Sequence, residues 1–152
     1  MRVFIIRHGK AERQSTTGRD ADRVLVARGI RQAEHLGRVL GEAAPGLVLS
    51  SPFARAWATA EIVHRAVGGR LEAETRLECD RRVSEATEAI AARASEPTLA
   101  IVGHNPQLSA LVDHFRGKHG ADLRTGEAAD LEIDPNAGQG TLVRTWRMDD
   151  ED

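Results

Sequence analysis

The chain has one cysteine in 152 residues. Cys79 therefore has no internal disulfide partner, which agrees with a reducing compartment, and its carboxylate neighbours Glu78 and Asp80 disfavour the thiolate that a nucleophile needs. An excess of positive charge is also lacking. Lys and Arg number 21 against 23 Asp and Glu, a formal charge of −2, which excludes the broad cationic field used in sequence-independent nucleic-acid binding. Any anion must be held by individual arginines. No apolar stretch approaches the ~20 residues that span a bilayer, and the first apolar run begins almost at Met1. The sequence thus predicts a cytoplasmic protein with neither signal peptide nor membrane partner. Repeats, heptads and low-complexity segments are missing too.

What is present is the material of one globular domain: 41% hydrophobic and 29% charged side chains at a length that supports a real core. The domain is assigned to 1–148, followed by an acidic tail, Asp149 to Asp152, that is expected to fray.

Strand-like runs alternate with helix-like ones, which predicts an α/β fold: a mainly parallel central sheet in a three-layer α/β/α sandwich. The first strand is Arg2 to Ile6. A helix over Ala27 to Gly41 follows, with Val26, Ile30, Ala33, Gly37 and Leu40 on its inner face. Leu47 to Ser50 is the next strand. Ser51 reads as an N-cap and Pro52 as the first turn of a helix reaching Val67, stopped by Gly68-Gly69. A short strand falls around Leu71, and a helix over Val83 to Ala94 turns Val83, Ile90 and Ala94 inward. The Leu99 strand precedes Asn105, a cap, and Pro106, the start of a helix whose stripe is Leu108, Leu111, Val112 and Phe115. After a polar loop, Gly117 to Ala128, two strands, Ala129 to Ile133 and Thr141 to Trp146, form a hairpin around Asp134-Pro135-Asn136-Ala137-Gly138.

Chemistry concentrates at strand ends. Arg7-His8-Gly9 follows Val3-Phe4-Ile5-Ile6, and Gly103-His104-Asn105-Pro106 follows Leu99-Ala100-Ile101-Val102. These are the places where open α/β sheets put their sites. A phosphoryl group needs several donors and fixed positive charge, which arginine supplies as a planar fork. Arg7 and Arg55 are placed to give it. A neutral imidazole can attack phosphorus and form a covalent intermediate, and His8 is the candidate.

These same residues resemble the histidine phosphatase, or phosphoglycerate-mutase-like, superfamily. Arg7-His8-Gly9 with Lys10-Ala11-Glu12, Leu25 through Arg28-Gly29-Ile30-Arg31-Gln32-Ala33, Ser51 with Arg55-Ala56 and Thr59-Ala60, and Val102-Gly103-His104-Asn105-Pro106 with Leu108-Ser109 are similar to its motifs, in order. The resemblance implies that His8 carries the phosphoryl group, that Arg7, Arg55 and His104 act with it, that Gly9 and Asn105 help bind substrate, and that no metal or other cofactor takes part. The short chain looks like the SixA-type branch, whose members act on phosphohistidine in signalling proteins. The implied partner is such a phosphoprotein, with phosphorylated metabolites as the alternative substrates. Larger members supply a leaving-group acid from the stretch equivalent to Glu72 to Asp80. No residue here matches it cleanly, and Glu78 is chosen over Asp80. The gap keeps a third reading open, a non-catalytic module that binds phosphate through the arginine pocket.

Other polar residues are assigned to no site. His35 and His64 fall in surface-facing helical stretches. His114 and His119 lack a third metal ligand. Arg116, Lys118 and His119 read as a solvated face.

Overall fold

The computed structural model describes residues 1–148; the tail Asp149 to Asp152 lies outside the described residues. Six strands form one sheet: β1 (Arg2–Arg7), β2 (Leu47–Ser50), β3 (Arg70–Ala73), β4 (Thr98–Gly103), β5 (Ala128–Asp134) and β6 (Gln139–Trp146). Their order is β3-β2-β4-β1-β5-β6. The first four are parallel, and the β5–β6 hairpin adds antiparallel to β1. Helices α1 (Ala27–Leu40), α2 (Ala54–Val67), α3 (Val83–Ala91) and α4 (Gln107–Arg116) complete the sandwich.

Strand alternation explains the two layers. Val3, Ile5, Leu47, Leu49, Leu99 and Ile101 pack toward α3 and α4, among Ala86, Ile90, Leu108 and Leu111. Phe4, Ile6, Val48, Ala100 and Val102 face the other way, toward Leu36, Leu40, Ala56, Ala60 and Val63 of α1 and α2. Central parallel strands are thus buried on both faces, which is why they read as unbroken apolar runs.

Four local expectations are corrected. Ile30 is not on the buried face of α1: it is 42% exposed, and Gly29, Gln32, Ala33, Leu36, Gly37 and Leu40 go inward instead. The cause is backbone contact. A Cβ on Gly29 would overlap the Lys10 carbonyl, and one on Gly37 would lie 2.9 Å from the Ala66 Cβ, so the two glycines set the roll of the helix. Ser51 is not the N-cap of α2, which starts at Ala54 behind Phe53; its hydroxyl instead accepts from the Phe53 N–H at 3.1 Å. The third helix ends at Ala91, and Ala94 is exposed in the turn beyond it. Pro106 stands at the N-cap of α4 rather than inside it. Asn105 does cap, from one residue further back: its Oδ1 accepts from the Ser109 N–H at 3.0 Å.

No helix among the described residues is long and apolar enough to cross a membrane.

Candidate active site

Neighbouring strands β1 and β4 are paired in register, Arg7 opposite Gly103. The residues that follow, His8 and His104, therefore emerge side by side at the carboxyl edge of the sheet. The His8 N–H donates to the Gly103 carbonyl at 3.0 Å, and the Ser51 N–H, after β2, donates to the Val102 carbonyl at 3.0 Å. Three strand ends thus converge. The two imidazole rings lie 5.2 Å apart between centroids.

His8 has a defined tautomer. Its Nδ1 is 2.6 Å from the Gly9 carbonyl oxygen. A carbonyl only accepts, so Nδ1 carries the proton and Nε2 carries the lone pair. That lone pair faces Arg55, whose Nε–H donates to it at 3.3 Å. The ring is held neutral as well. Burial lowers its pKa to about 4, with Arg55 and Arg7 opposing protonation further, while the Gly9 contact works in the other direction.

Gly9 is needed for close approach rather than for an unusual dihedral. The Gly29 carbonyl oxygen would lie 2.5 Å from any Cβ placed there. Its N–H donates to the Thr59 Oγ1 at 3.0 Å, and the Thr59 hydroxyl in turn donates to the Arg55 carbonyl at 2.8 Å. One threonine on α2 therefore fastens the His8 loop to the helix that carries Arg55.

Arg55, only 3% exposed, is fully engaged. Besides His8, its Nη1 donates to the Asp20 carbonyl at 2.8 Å, and its Nη2 to the Asp20 carboxylate at 3.1 Å and the Cys79 Sγ at 3.6 Å. Asp20 sits in a short 3-10 turn, Asp20–Asp22. Partial burial raises its pKa, but hydrogen bonds from Arg23 and Arg55 outweigh this and leave it below the ordinary value. Burial pushes the Cys79 thiol up, against the pull of Arg55.

Arg7 is half-buried at the end of β1. Its Nη1 donates to the Leu123 carbonyl at 3.0 Å, and its buried Nε has no partner among the described residues. Burial lowers its pKa, Asp122 opposes this and Arg55 reinforces it; an arginine stays charged regardless. His104, 2% exposed, places Nε2 at 2.9 Å from the Ser51 Oγ. Its Nδ1 is buried without a partner among the described residues. Burial, followed by His8 and Arg55, lowers its pKa to about 3.

Asn105 reaches the loop between α4 and β5. Its Nδ2 donates to the Leu123 carbonyl at 2.8 Å, and its Oδ1 accepts from both the Ser109 N–H and hydroxyl. The Ser109 Oγ then accepts from the Leu123 N–H at 2.9 Å. Leu123 is thereby tied to Arg7 and Asn105 together. The Gly126 N–H donates to the carbonyls of Arg7 and His8, at 3.1 and 2.9 Å.

Of the residues singled out in the sequence, Arg7, His8, Gly9, Arg55, His104 and Asn105 all meet here. Glu78 is held by Arg81, which donates to its Oε1 at 2.9 Å; the neighbour that touches Arg55 is Cys79. Sequence reasoning missed Asp20, which lies in a polar, aperiodic stretch with no motif to mark it. It also missed the carbonyl of Leu123, which carries no side-chain signal.

A model of the histidine phosphatase superfamily (branch 1) matches residues 3–78. The structure of the protein histidine phosphatase SixA complexed with tungstate is similar at a TM-score of 0.85, with 25% identity over 97% of this chain and 96% of that one. The SixA protein from Agrobacterium tumefaciens follows at 0.84, with 27% identity over 95% and 96%. An alpha-ribazole phosphatase from Shigella flexneri, 20% identical over 93% and 94%, shares the fold at 0.75. No curated protein sequence gives a significant match. With the family matched over half its length and the two histidines and two arginines assembled at one sheet edge, the chain belongs to the histidine phosphatase superfamily and is a hydrolase of phosphate esters or phosphohistidine.

Proposed function

We propose that the protein removes phosphoryl groups from phosphohistidine on proteins, with His8 as the nucleophile. The observation that carries the nucleophile is the tautomer: the Nδ1–H bond to the Gly9 carbonyl leaves the Nε2 lone pair available beside Arg55. Nε2 attacks phosphorus, the bond from phosphorus to the substrate nitrogen breaks, and that nitrogen takes up a proton. Water then attacks the phosphoryl group on Nε2, releasing inorganic phosphate and restoring the lone pair.

Arg7 and Arg55 neutralise charge on the phosphoryl oxygens. His104 contributes a donor. Ser51 Oγ already accepts from the Phe53 N–H, so its own proton can go to His104 Nε2, leaving a proton on the unpartnered Nδ1 to meet a phosphoryl oxygen. Asn105 and Gly9 act by position, Asn105 through Leu123 and Gly9 through His8 Nδ1.

The choice of phosphohistidine rests on the acids of the site. A carboxyl that protonates an ester oxygen works best with a raised pKa. Here Asp20, the carboxylate that meets Arg55, stays below its ordinary value despite partial burial because Arg23 and Arg55 donate to it, and Glu78 is turned to Arg81. A phosphoramidate nitrogen is basic enough to leave without a dedicated donor. SixA, the similar structure at 25% identity, is described as a protein histidine phosphatase.

The test compares hydrolysis of a phosphohistidine protein with a panel of sugar and nucleotide monophosphates. Higher kcat/KM for the phosphoprotein supports the reading; a preferred monoester overturns it. Quenching in alkaline denaturant, which preserves the acid-labile N–P bond, addresses the nucleophile with labelled substrate: label must appear on His8, and binding without covalent label would leave a phosphate-binding module instead.

A further inference from the structure

Gln107, the first residue of α4, is 3% exposed, yet its Oε1 is buried without a partner among the described residues. Buried amide oxygens are normally satisfied, and an apolar side chain of the same size would leave nothing unpaired. Packing alone therefore gives no reason for a glutamine here. The reason lies at the other end of the amide. Its Nε2 donates to the Arg76 carbonyl at 2.8 Å and to the Arg82 carbonyl at 3.0 Å. A carbonyl only accepts, so the nitrogen must be the atom that faces them.

This clamp closes the chain from Arg76 to Arg82 into a loop at the edge of the site. Just before it, the Glu74 N–H donates to the carbonyl of Ser50, the last residue of β2, at 2.7 Å. The Leu77 carbonyl lies against Gly103, at the end of β4, where a Cβ would come within 3.1 Å of it. Between the two clamped carbonyls, Glu78 turns to Arg81 and Cys79 reaches the Nη2 of Arg55. Asp80, the next residue, has a φ of 66°. A residue other than glycine keeps that left-handed conformation only where its surroundings impose it.

Which of these three consecutive side chains faces Arg55 decides how free the guanidinium is. The Cys79 thiol, kept neutral because burial raises its pKa, is a weak acceptor that a phosphoryl oxygen displaces readily. A carboxylate in its place would take a charge-assisted bond. With Asp20 already on the same nitrogen, it would compete with the phosphoryl group. Glu78 and Asp80 are each one residue away. On the reading that Arg55 grips the phosphoryl group, we infer that Gln107 is a positioning residue: by clamping Arg76 and Arg82 it holds Cys79 against Arg55 and keeps the carboxylates of Glu78 and Asp80 off it.

The test follows binding of inorganic phosphate to the full chain by isothermal titration calorimetry. Gln107→Met keeps the size of the side chain and removes both donors; Gln107→Leu is the second variant should the first not fold. Phosphate should bind about five- to tenfold more weakly, the effect of one partly exposed charged competitor. Adding Glu78→Gln/Asp80→Asn to the same variant should restore the affinity. Cys79 is the one cysteine of the chain, so its alkylation by iodoacetamide reports on the loop directly and should quicken when Gln107 is replaced. Unchanged phosphate affinity, a loss that the two amide substitutions do not restore, or an unchanged alkylation rate overturns the inference. The second of these is what a general loss of packing would give. Failure of the Arg55 reading is seen separately, as phosphate binding that Arg55→Ala leaves unaltered. In that case the alkylation rate still decides whether Gln107 places Cys79: a faster rate upholds the placement, and an unchanged one removes it.

Discussion

The Nε–H of Arg55 points at the lone pair of His8 Nε2, 3.3 Å away. A guanidinium in that position accepts a neutral imidazole and repels a protonated one, so the same contact aims the nucleophile and keeps it uncharged. The imidazole then has one use, attack on an electrophile brought between it and the arginines.

The ring state of His8 can be read directly. In a chain labelled with 15N-histidine, His8 should show a protonated Nδ1 and an unprotonated Nε2 at pH 7, and should titrate at about 4, well below the ordinary value of ~6.5. An ordinary titration, or the opposite tautomer, would contradict the proposed attack by Nε2.

Stability should fall on acidification through the same groups. His8 and His104 have folded pKa values of about 4 and about 3, whereas in the unfolded chain both should titrate near ~6.5. Below that value the unfolded chain binds more protons than the folded one, so their contribution is complete above ~6.5 and is lost progressively as pH drops, through about 4 for His8 and about 3 for His104. Urea midpoints measured between pH 7 and pH 4.5 should decline, and His104→Gln should decline less steeply.

Replacing the nucleophile should separate chemistry from folding. His8→Ala should abolish turnover and covalent labelling with little change in circular dichroism. Arg55→Ala should lower kcat by roughly 100- to 1000-fold, the usual cost of removing a donor to developing charge. Residual activity near the unaltered level in either variant would displace these roles.

Asp20 shares the guanidinium that the phosphoryl group needs. Asp20→Asn should therefore tighten inhibition by inorganic phosphate, by about two- to fivefold given that the carboxylate is half exposed. Weaker inhibition would mean that Asp20 chiefly orients Arg55.

Asn105→Ala should cost the bonds to Leu123 and Ser109 together. The expected loss is ~1–3 kcal/mol of stability, visible as a lower Tm, with kcat reduced more than KM is raised because Arg7 shares the Leu123 carbonyl. A change confined to KM would instead place the amide against the substrate.

The parts of this site legible in the sequence were those set by strand ends. Arg7, His8 and His104 follow apolar runs whose burial on both faces leaves little freedom in where they stop. Arg55 was legible from its place near the start of the second helix and from the resemblance of Ser51, Arg55-Ala56 and Thr59-Ala60 to the family's motif, even though the helix begins later than Pro52 suggested. The roll of α1 was not legible, because it is decided by contact of Gly29 with the Lys10 carbonyl, a relation between segments rather than a periodicity. Asp20 was hidden for the same reason: its partner, Arg55, is 35 residues away. The loop around Leu123 contributes a backbone carbonyl, and a carbonyl is present at every residue.

The pairing of Arg7 with Gly103 on neighbouring central strands also bears on how this enzyme moves. Separating His8 from His104 requires breaking β1 from β4, the middle of the sheet, so that separation is expected to cost close to global unfolding. Amide exchange at the carboxyl ends of these strands should be among the slowest in the molecule. Adjustment to a substrate is left to elements outside the sheet, the Asp20 turn and the Leu123 loop, which makes them the parts through which catalysis can be tuned without loosening its centre.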